Sequence, residues 1–218
     1  MVSLIFATMT EEKVAIPCGG NNLEGLLGVQ ESPSFRGSVI LCHPHPQYGG
    51  NMYNPVVAAG VEAGQREGYT TLRFNFRGVG DSEGSYGDGV GEKEDVLAAI
   101  QYLSLKLGES NQSLILFGYS FGASTALPIA VQDQRIKGMI GVAPPLDMSD
   151  FKFLMGCEKK KLFIAGNRDI YCPVPDLEKW YEQLDEPKSL IILPGADHFL
   201  FSHTHALIQP IREFLRTF

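Results

Sequence analysis

The sequence predicts one three-layer α/β domain over residues 1–218, with helices on both faces of a mostly parallel sheet of about eight strands. Short apolar runs alternate with segments of helical periodicity. One such segment, 92–107, has apolar residues at positions 96, 97, 100, 103 and 107, which is the spacing of a helix. Two early strand-like runs flank the Gly-Gly-Asn-Asn segment at 19–22, which predicts an antiparallel hairpin at one edge. A chain of 218 residues buries a sizeable core, and no linker or internal repeat divides it.

The predicted elements follow one another closely along the chain. The first half carries strands at 13–16, 23–29 and 38–42, a helix at 54–65, a strand at 70–76, a helix at 92–107 and a strand at 114–117. The second half carries a helix directly after that strand, strands at 137–143, 162–166 and 190–193, and helices at 177–184 and 207–218. The run Ser38–Cys42 does not alternate, which is typical of a strand buried on both faces. Asp176 is predicted to cap the helix at 177–184, and the Gly-rich residues 78–91 are predicted to form a loop.

Composition and charge exclude several classes of protein. The formal net charge is −7, and because phosphate binding needs a basic surface, we expect no nucleic-acid or anionic-membrane partner. The four cysteines lack CxxC spacing, so neither a disulfide framework nor a zinc site is predicted, and Cys42 is expected to be a small buried residue. The run Met1–Ala7 lacks the basic residues of a signal peptide, and no apolar run approaches membrane-spanning length. We therefore expect a cytoplasmic protein, either a monomer or a homodimer.

The most informative stretch is Gly118–Gly122, with the sequence Gly-Tyr-Ser-Phe-Gly. It follows an apolar run and precedes a helix-like segment rich in small residues, which is the context of a nucleophile elbow. The glycines two residues either side of Ser120 permit a strained turn that projects the hydroxyl above the sheet. The backbone N–H of Phe121 is then one donor to an oxyanion. The alternative interpretation is a Gly-rich turn between two core elements.

A serine nucleophile needs a base, and the base needs a third group to hold it. After an elbow of this kind, the acid and then the histidine follow the serine along the chain. His198 follows the last predicted strand, which places it at the same end of the sheet as Ser120, and it is the predicted base. The other two histidines after the serine, predicted to be polar surface, are His203 and His205.

The predicted acid is Asp169, which follows the strand at 162–166 and so lies at the same end of the sheet. Asp197 is adjacent to His198 in sequence, and neighbouring side chains in an extended loop point apart, so it is a poor orienter. The fallback candidates, which follow an earlier strand, are Asp147 and Asp150.

The second oxyanion donor is expected in the loop after the third strand, His43–Met52. Its two prolines cannot donate, but they stiffen the loop, which suits a preorganised site. The backbone N–H groups of His45, Gln47 and Tyr48 remain, and that of His45 is favoured. The imidazoles of His43 and His45 are predicted to be structural or pocket-lining, because both residues precede the serine.

At these residues the chain resembles the α/β-hydrolase superfamily, and more narrowly the small, uncharacterised bacterial-type hydrolases without a cap. The shared motifs are His-Pro-His-Pro-x-x-Gly-Gly-x-Met-x-Asn at 43–54, Phe-Asn-Phe-Arg-Gly-Val-Gly-Asp-Ser-Glu-Gly at 74–84, the elbow, and the segments around positions 169 and 198. The resemblance covers nearly the whole chain and implies an α/β-hydrolase fold with a Ser120–Asp169–His198 triad. Dienelactone hydrolases are similar in size but typically use cysteine, and the serine here departs from them. The motifs are specific to the fold and much less specific to a substrate.

Larger relatives carry a cap between the sixth and seventh strands, where this chain has only Pro144–Lys161. That interval holds a short helix but no lid, so an open pocket is expected, suited to small acyl esters or a flexible larger substrate. Four apolar residues of the interval are expected either to form a partial rim or simply to pack the loop: Phe151, Phe153, Leu154 and Met155.

The leading hypothesis is a serine hydrolase that acts as a carboxylesterase on a small-molecule substrate, with no cofactor and no metal. An aminopeptidase or amidase of the same fold is the alternative, although the sequence identifies no acidic group for a substrate amine. A metal hydrolase would draw on His43 and His45 with the later histidines, but no HExxH motif completes the set. A non-catalytic binding protein is the third class, and the presence of all three triad residue types weighs against it.

Overall fold

The computed structural model describes residues 10–30, 35–108 and 113–218. Within them the chain forms eight strands and five α-helices. The strands are β1 (Glu11–Cys18), β2 (Asn21–Gly28), β3 (Gly37–Cys42), β4 (Tyr69–Phe74), β5 (Leu114–Tyr119), β6 (Ile136–Val142), β7 (Lys160–Gly166) and β8 (Lys188–Leu193). The helices are α1 (Pro55–Arg66), α2 (Gly91–Leu107), α3 (Phe121–Gln132), α4 (Val174–Glu182) and α5 (Thr204–Leu215). The N-terminal run at 1–7, and with it the prediction about a signal peptide, lies outside the described residues.

The eight strands form one sheet in the order β1-β2-β4-β3-β5-β6-β7-β8. β2 pairs antiparallel with β1 and with β4, and every other neighbouring pair is parallel. The predicted mostly parallel sheet with an N-terminal antiparallel hairpin is confirmed. Because β3 to β8 all run in one direction, their carboxyl ends meet at one edge of the sheet, which is where open α/β sheets bind ligands.

Helices cover both faces of the sheet and bury it. On one face, Gly60 of α1 lies so close to β3 that a Cβ there would stand 2.7 Å from Cδ2 of Leu41, and α5 completes the same layer. On the other face, Val96 of α2, Leu127 of α3 and Trp180 of α4 pack into a second apolar core. Removal of these apolar surfaces from water is the main stabilising term. The predicted three-layer arrangement is therefore the one the chain adopts.

The interval between β6 and β7 holds a 3-10 helix, Lys152–Leu154, and no cap. Phe151 and Leu154 are buried, and the ring of Phe151 lies 5.9 Å from that of Trp180. The expectation of an apolar rim is wrong for these two residues, and the alternative that they pack the loop is correct. The physical reason is that, without a cap, this loop itself must cover the edge of the core. Phe153 is partly buried against the same core, and Met155 is exposed.

The start of α4 differs from the prediction. The helix begins at Val174, with Pro173 at the N-cap position, and Asp176 lies in the first turn rather than at the cap. Its N–H donates to the carbonyl oxygen of Pro173 at 3.1 Å. Prolines suit the first turn because the N–H they lack would have no helical partner there. The carboxylate of Asp176 still lies near the positive end of the helix dipole.

The remaining expectations about sequence composition concern cysteines and membrane spans. All four cysteines are buried and unpaired, and Cys42 is fully buried as expected. Within the described ranges, no helix combines the length and the apolar character needed to cross a membrane.

Candidate active site

Ser120 lies at a sharp turn between β5 and α3. Its backbone has φ 52° and ψ −115°, a conformation that costs a non-glycine residue about 1–3 kcal/mol. A Cβ on Gly118 would stand 2.4 Å from the carbonyl oxygen of Gly122, and a Cβ on Gly122 would stand 2.4 Å from that of Cys42. Both positions therefore require glycine. The second contact also places the start of α3 directly against the end of β3, where the loop that begins at His43 leaves the sheet.

The structure brings together the three residues that the sequence order singled out. Ser120 Oγ lies 2.8 Å from Nε2 of His198, and Nδ1 of His198 lies 2.8 Å from Oδ2 of Asp169. His198 follows β8 and Asp169 follows β7, so both stand at the carboxyl edge of the sheet beside the elbow. A carboxylate only accepts hydrogen bonds, so Nδ1 donates its proton to Asp169 and the lone pair of Nε2 faces the serine hydroxyl. That is the tautomer a general base requires.

Asp169 is fixed by its surroundings. Its side chain is fully buried, and its Oδ1 accepts the backbone N–H groups of Tyr171 at 2.8 Å and Cys172 at 3.0 Å. Asp197, the neighbour of His198, instead accepts the N–H groups of its own following residues at 3.1 Å, as expected for an adjacent side chain. Of the fallback candidates, Asp150 accepts from the N–H of Lys152.

Tyr119 provides a further support for His198 that the sequence analysis did not single out. Its hydroxyl donates to the carbonyl oxygen of His198 at 2.9 Å. Burial raises the pKa of Tyr119 well above its usual value, so the hydroxyl remains a donor. A signal was available: this is the residue before the elbow serine, and a buried tyrosine needs a partner for its hydroxyl.

Hydrogen bonds within the loop after β3 occupy two of the three predicted oxyanion donors. Gln47 N–H donates to Nδ1 of His45 at 3.2 Å, and Tyr48 N–H donates to the carbonyl oxygen of His45 at 3.1 Å. In the part of the chain that the structure describes, the N–H of His45 has no acceptor. The N–H of Phe121 also lacks an intrahelical acceptor, because Phe121 lies in the first turn of α3 and the first N–H groups of a helix have no preceding turn to donate to. As the candidate for the second oxyanion donor, the N–H of His45 is therefore favoured over those of Gln47 and Tyr48.

The side chain of His45 belongs to an aromatic cluster, which we define as His45, Tyr48, Tyr86 and Phe121. Because Nδ1 of His45 accepts a hydrogen bond, the neutral ring carries its proton on Nε2, which donates to Oη of Tyr86 at 3.3 Å. Burial lowers the pKa of His45, which favours that neutral form. The ring also packs 4.8 Å from Phe121 and 4.7 Å from Tyr48. Tyr86 was missed because it lies in a stretch predicted only as a loop.

A polar network ties the loop after β4 to the loop after β3. Asn75 Oδ1 accepts the N–H of Met52 at 2.8 Å, and its Nδ2 donates to Oε2 of Glu24 at 2.7 Å. Ser82 Oγ donates to the carbonyl oxygen of Asn75 at 2.7 Å and accepts the N–H of Glu24 at 2.9 Å. Such a satisfied network holds both loops in one arrangement. This is the structural role of the motif at 74–84.

His43 has a structural environment rather than a ligand-binding one. Its fully buried imidazole accepts the N–H of Phe76 on Nε2 at 3.1 Å, so Nδ1 carries the proton and donates to the carbonyl oxygen of Pro44 at 2.6 Å. Both ring nitrogens are occupied, which agrees with the structural role predicted for this residue. The metal-hydrolase alternative thereby loses one of the histidines it would draw on.

The protonation of His43 is expected to make stability depend on pH. Burial lowers the pKa of His43 from its ordinary value of 6.5 to about 4, so between these values the unfolded chain binds a proton that the folded chain does not. The stability contributed by the neutral ring is complete above pH 6.5. As the pH falls from 6.5 toward 4, the free energy of unfolding should decrease by about 3 kcal/mol. Urea denaturation across this window measures the loss.

The control for this measurement separates His43 from the carboxylates that titrate in the same range. Replacement of His43 by glutamine removes the ring. In this variant the free energy of unfolding should fall by about 3 kcal/mol less over the same pH range. His205, which is exposed, provides the matched variant, and His205→Gln should keep the full slope. An unchanged slope in His43→Gln would mean that the buried ring takes up its proton without unfolding.

The fold and the site together define an α/β hydrolase: a mostly parallel sheet, a serine on a strained elbow after β5 and no cap between β6 and β7. The sequence model of a family described as X-Pro dipeptidyl-peptidase (S15 family) matches residues 47–169, which is more than half of the chain. The chain belongs to this family.

Individual relatives agree with this assignment. An uncharacterised protein of Rickettsia prowazekii is 34% identical over 203 residues, covering 89% of this chain and 84% of the relative. An α/β serine hydrolase homologue from Coxiella burnetii is 32% identical with a TM-score of 0.85, covering 95% of this chain and 98% of that chain. An α/β serine hydrolase without a lid from Xanthomonas campestris is 28% identical with a TM-score of 0.84, covering 97% of this chain and 95% of that chain. The α/β-hydrolase resemblance is therefore confirmed, and this protein is a hydrolase by class.

Proposed function

We propose that the protein is a carboxylesterase that hydrolyses small acyl esters through a covalent acyl-enzyme. The observation that carries the proposal is the continuous hydrogen-bonded chain from Ser120 Oγ through His198 to Asp169, with both distances at 2.8 Å. The acid is buried and the base is nearly so, whereas the serine is accessible from solvent. This is the arrangement in which a hydroxyl is activated as a nucleophile.

Acylation begins when Ser120 Oγ attacks the ester carbonyl carbon and its proton passes to Nε2 of His198. The imidazolium that forms is stabilised by Asp169, which remains ionised. The negative charge that develops on the carbonyl oxygen is stabilised by hydrogen bonds donated by the N–H groups of Phe121 and His45, neither of which has an acceptor among the described residues. The carbon–oxygen bond of the alcohol then breaks, and His198 returns the proton to the departing oxygen.

Deacylation repeats the same steps with water. His198 removes a proton from a water molecule, the resulting hydroxide attacks the acyl carbon, and the bond to Ser120 breaks as His198 returns the proton to Oγ. The open site supplies that water directly, because the interval between β6 and β7 forms no cap. Esters suit this mechanism because an alcohol is a better leaving group than an amine.

Amide cleavage is the second candidate, and the description of the family as X-Pro dipeptidyl-peptidase favours it. An enzyme of that kind needs a carboxylate for the substrate's terminal ammonium group. Asp147 is exposed on the loop after β6, and its N–H donates to the carbonyl oxygen of Tyr171 at 3.3 Å. The ring of Tyr171 lies 4.8 Å from that of His198, so Asp147 is the carboxylate to test for this role.

The two candidates are separated by a pair of chromogenic substrates and one covalent probe. We expect a fluorophosphonate to label Ser120 in the folded protein, and p-nitrophenyl butyrate to be hydrolysed with a higher kcat/KM than Ala-Pro-p-nitroanilide, in the presence or absence of a chelator. Preference for the anilide, with KM raised by Asp147→Asn, would establish the peptidase instead. Folded protein that neither labels nor hydrolyses would indicate a binding protein, and activity abolished by the chelator would indicate a metal hydrolase.

A further inference from the structure

Exposed apolar side chains are concentrated at the edge of the sheet that carries Ser120. Among the residues that the structure describes, twelve large apolar residues are more than a third exposed, and nine of them lie in the loops after the carboxyl ends of parallel strands. These nine are Tyr48, Tyr53, Val90, Met148, Met155, Ile170, Tyr171, Phe199 and Phe201, and the other three are Val29, Leu97 and Leu105. Single exposed apolar residues are ordinary, but a concentration around one site indicates contact with an apolar molecule.

Two of these nine residues form a stacked pair directly after His198. Phe199 is 51% exposed and Phe201 is 64% exposed, whereas Leu200 between them is fully buried. The two phenyl rings lie 5.8 Å apart with 15° between their planes. We call this pair, Phe199 and Phe201, the phenylalanine platform. It presents aromatic surface to solvent that ordinary folding would bury.

The backbone holds the phenylalanine platform in place. Leu200 has φ 57°, a left-handed conformation that is strained for leucine, and the burial of its side chain offsets the strain. Asp197 Oδ1 accepts the N–H groups of both Phe199 and Leu200 at 3.1 Å. With Leu200 anchored in the core and the turn closed by Asp197, both phenyl rings stay outward. A strained conformation retained beside a candidate active site is consistent with a role in function.

The phenylalanine platform adjoins the residue that must protonate the departing alcohol. The ring of Phe199 lies 5.9 Å from that of His198. In the proposed mechanism Nε2 of His198 donates to the alcohol oxygen, which therefore has to come within hydrogen-bond distance of it. The remainder of the alcohol is therefore attached beside His198, and the exposed ring of Phe199 is one of the aromatic surfaces within its reach.

The acyl part of an ester takes a different direction. The carbon of the tetrahedral intermediate has four substituents. Three of them are Ser120 Oγ, the oxyanion and the alcohol oxygen, and the alcohol oxygen faces His198. The acyl chain takes the fourth position, away from the alcohol oxygen. The aromatic cluster adjoins Ser120 through Phe121, and its members pack against one another, as in the 4.8 Å contact between His45 and Phe121. The aromatic cluster is therefore a second aromatic surface beside Ser120, and it shares no residue with the phenylalanine platform.

We propose that Phe199 and Phe201 form a subsite for the alcohol part of the ester, and that the preferred substrates are esters of aromatic or bulky apolar alcohols. This inference rests on the proposed esterase function. A flat apolar group stacks on the exposed rings with little loss of freedom in the protein, because the platform is already held in its binding position.

The test compares two esters that share an acyl group and differ in the alcohol, methyl butyrate and benzyl butyrate, followed by titration of the acid released. We expect Phe199→Ala to lower kcat/KM about tenfold for the benzyl ester and less than about twofold for the methyl ester. For each ester, the kcat/KM of the variant is divided by that of the wild type, which removes the difference in reactivity between the two leaving groups. Phe199→Tyr should restore the benzyl rate, and Leu105→Ala, a control at a still more exposed apolar residue of α2, should change kcat/KM for neither ester.

The outcomes separate this inference from the function on which it rests. Hydrolysis of both esters through Ser120, with no selective loss in Phe199→Ala, would overturn the subsite and leave the esterase function standing. A wild type that cleaves neither ester and does not react with a fluorophosphonate would overturn both. An equal loss for both esters, accompanied by a change in sedimentation, would mean that Phe199 lies in an interface between copies, which also overturns the subsite.

Discussion

Replacement of Ser120 by alanine is expected to lower kcat/KM for p-nitrophenyl butyrate by a factor on the order of 10⁴ to 10⁶. The proposed mechanism transfers the acyl group to Ser120 Oγ, and alanine offers no atom that can accept it. The groups that surround the serine, including the N–H of Phe121 and His198, remain in place. A small residual rate from water and the oxyanion donors is therefore expected rather than complete inactivity.

The chain offers a matched control for this substitution four residues further along, in α3. The hydroxyl of Ser124 is buried and has no hydrogen-bond partner among the described residues, so Ser124→Ala also replaces a serine by alanine but removes no interaction with them. We expect it to leave kcat/KM within about twofold and stability unchanged or slightly raised. Wild-type activity in folded Ser120→Ala would reject the nucleophile and with it the acyl-enzyme.

Replacement of Asp169 by asparagine is expected to lower kcat for the same ester by a factor on the order of 10⁴. The amide oxygen of asparagine can keep the bonds from the N–H groups of Tyr171 and Cys172, which leaves the NH₂ group facing Nδ1 of His198. Nδ1 must then accept a hydrogen bond, so the proton moves to Nε2, the nitrogen that faces Ser120. His198 in that tautomer cannot take the serine proton.

Asp197→Asn is the control for the acid. Asp197 uses one oxygen to accept two backbone N–H groups, and the asparagine oxygen can do the same, so we expect kcat within about threefold of the wild type. Thermal unfolding of both variants checks that each is folded. The opposite result, with Asp197→Asn inactive and Asp169→Asn active, would make Asp197 the residue that orients the base.

The sequence was sufficient to predict the order and type of the elements because their signals are local. Each parallel strand is a short apolar run, and each loop between strand and helix carries glycine, proline or a polar residue. The position of Ser120 followed from the elbow motif. Those of Asp169 and His198 followed from the chain order after such an elbow and from the rule that the carboxyl ends of parallel strands share one edge of the sheet. The structure brings the three side chains within hydrogen-bond distance of one another, and their catalytic roles stay predictions for the two substitutions above.

Three other features were left open, missed or predicted wrongly. The sequence did not decide whether Phe151 and Leu154 are exposed or buried, because the burial of a loop depends on the residues that pack beneath it. The cap of α4 was assigned to Asp176 because the helix was predicted to begin at position 177, and aspartate is a common residue at the cap position. Tyr86 lies 41 residues from His45, its hydrogen-bond partner, and no local pattern connects them.

By itself, then, the sequence determined the α/β-hydrolase class, the elbow and the chain order of the proposed nucleophile, acid and base, because glycine at 118 and 122 and apolar periodicity act over a few residues. Only the tertiary structure decided which N–H groups are left without acceptors, which tautomers His43 and His45 adopt, and that Phe199 and Phe201 stack beside His198. Those properties arise from hydrogen bonds and packing between loops of different strands, and their geometry exists only once the sheet has brought the loops to one edge.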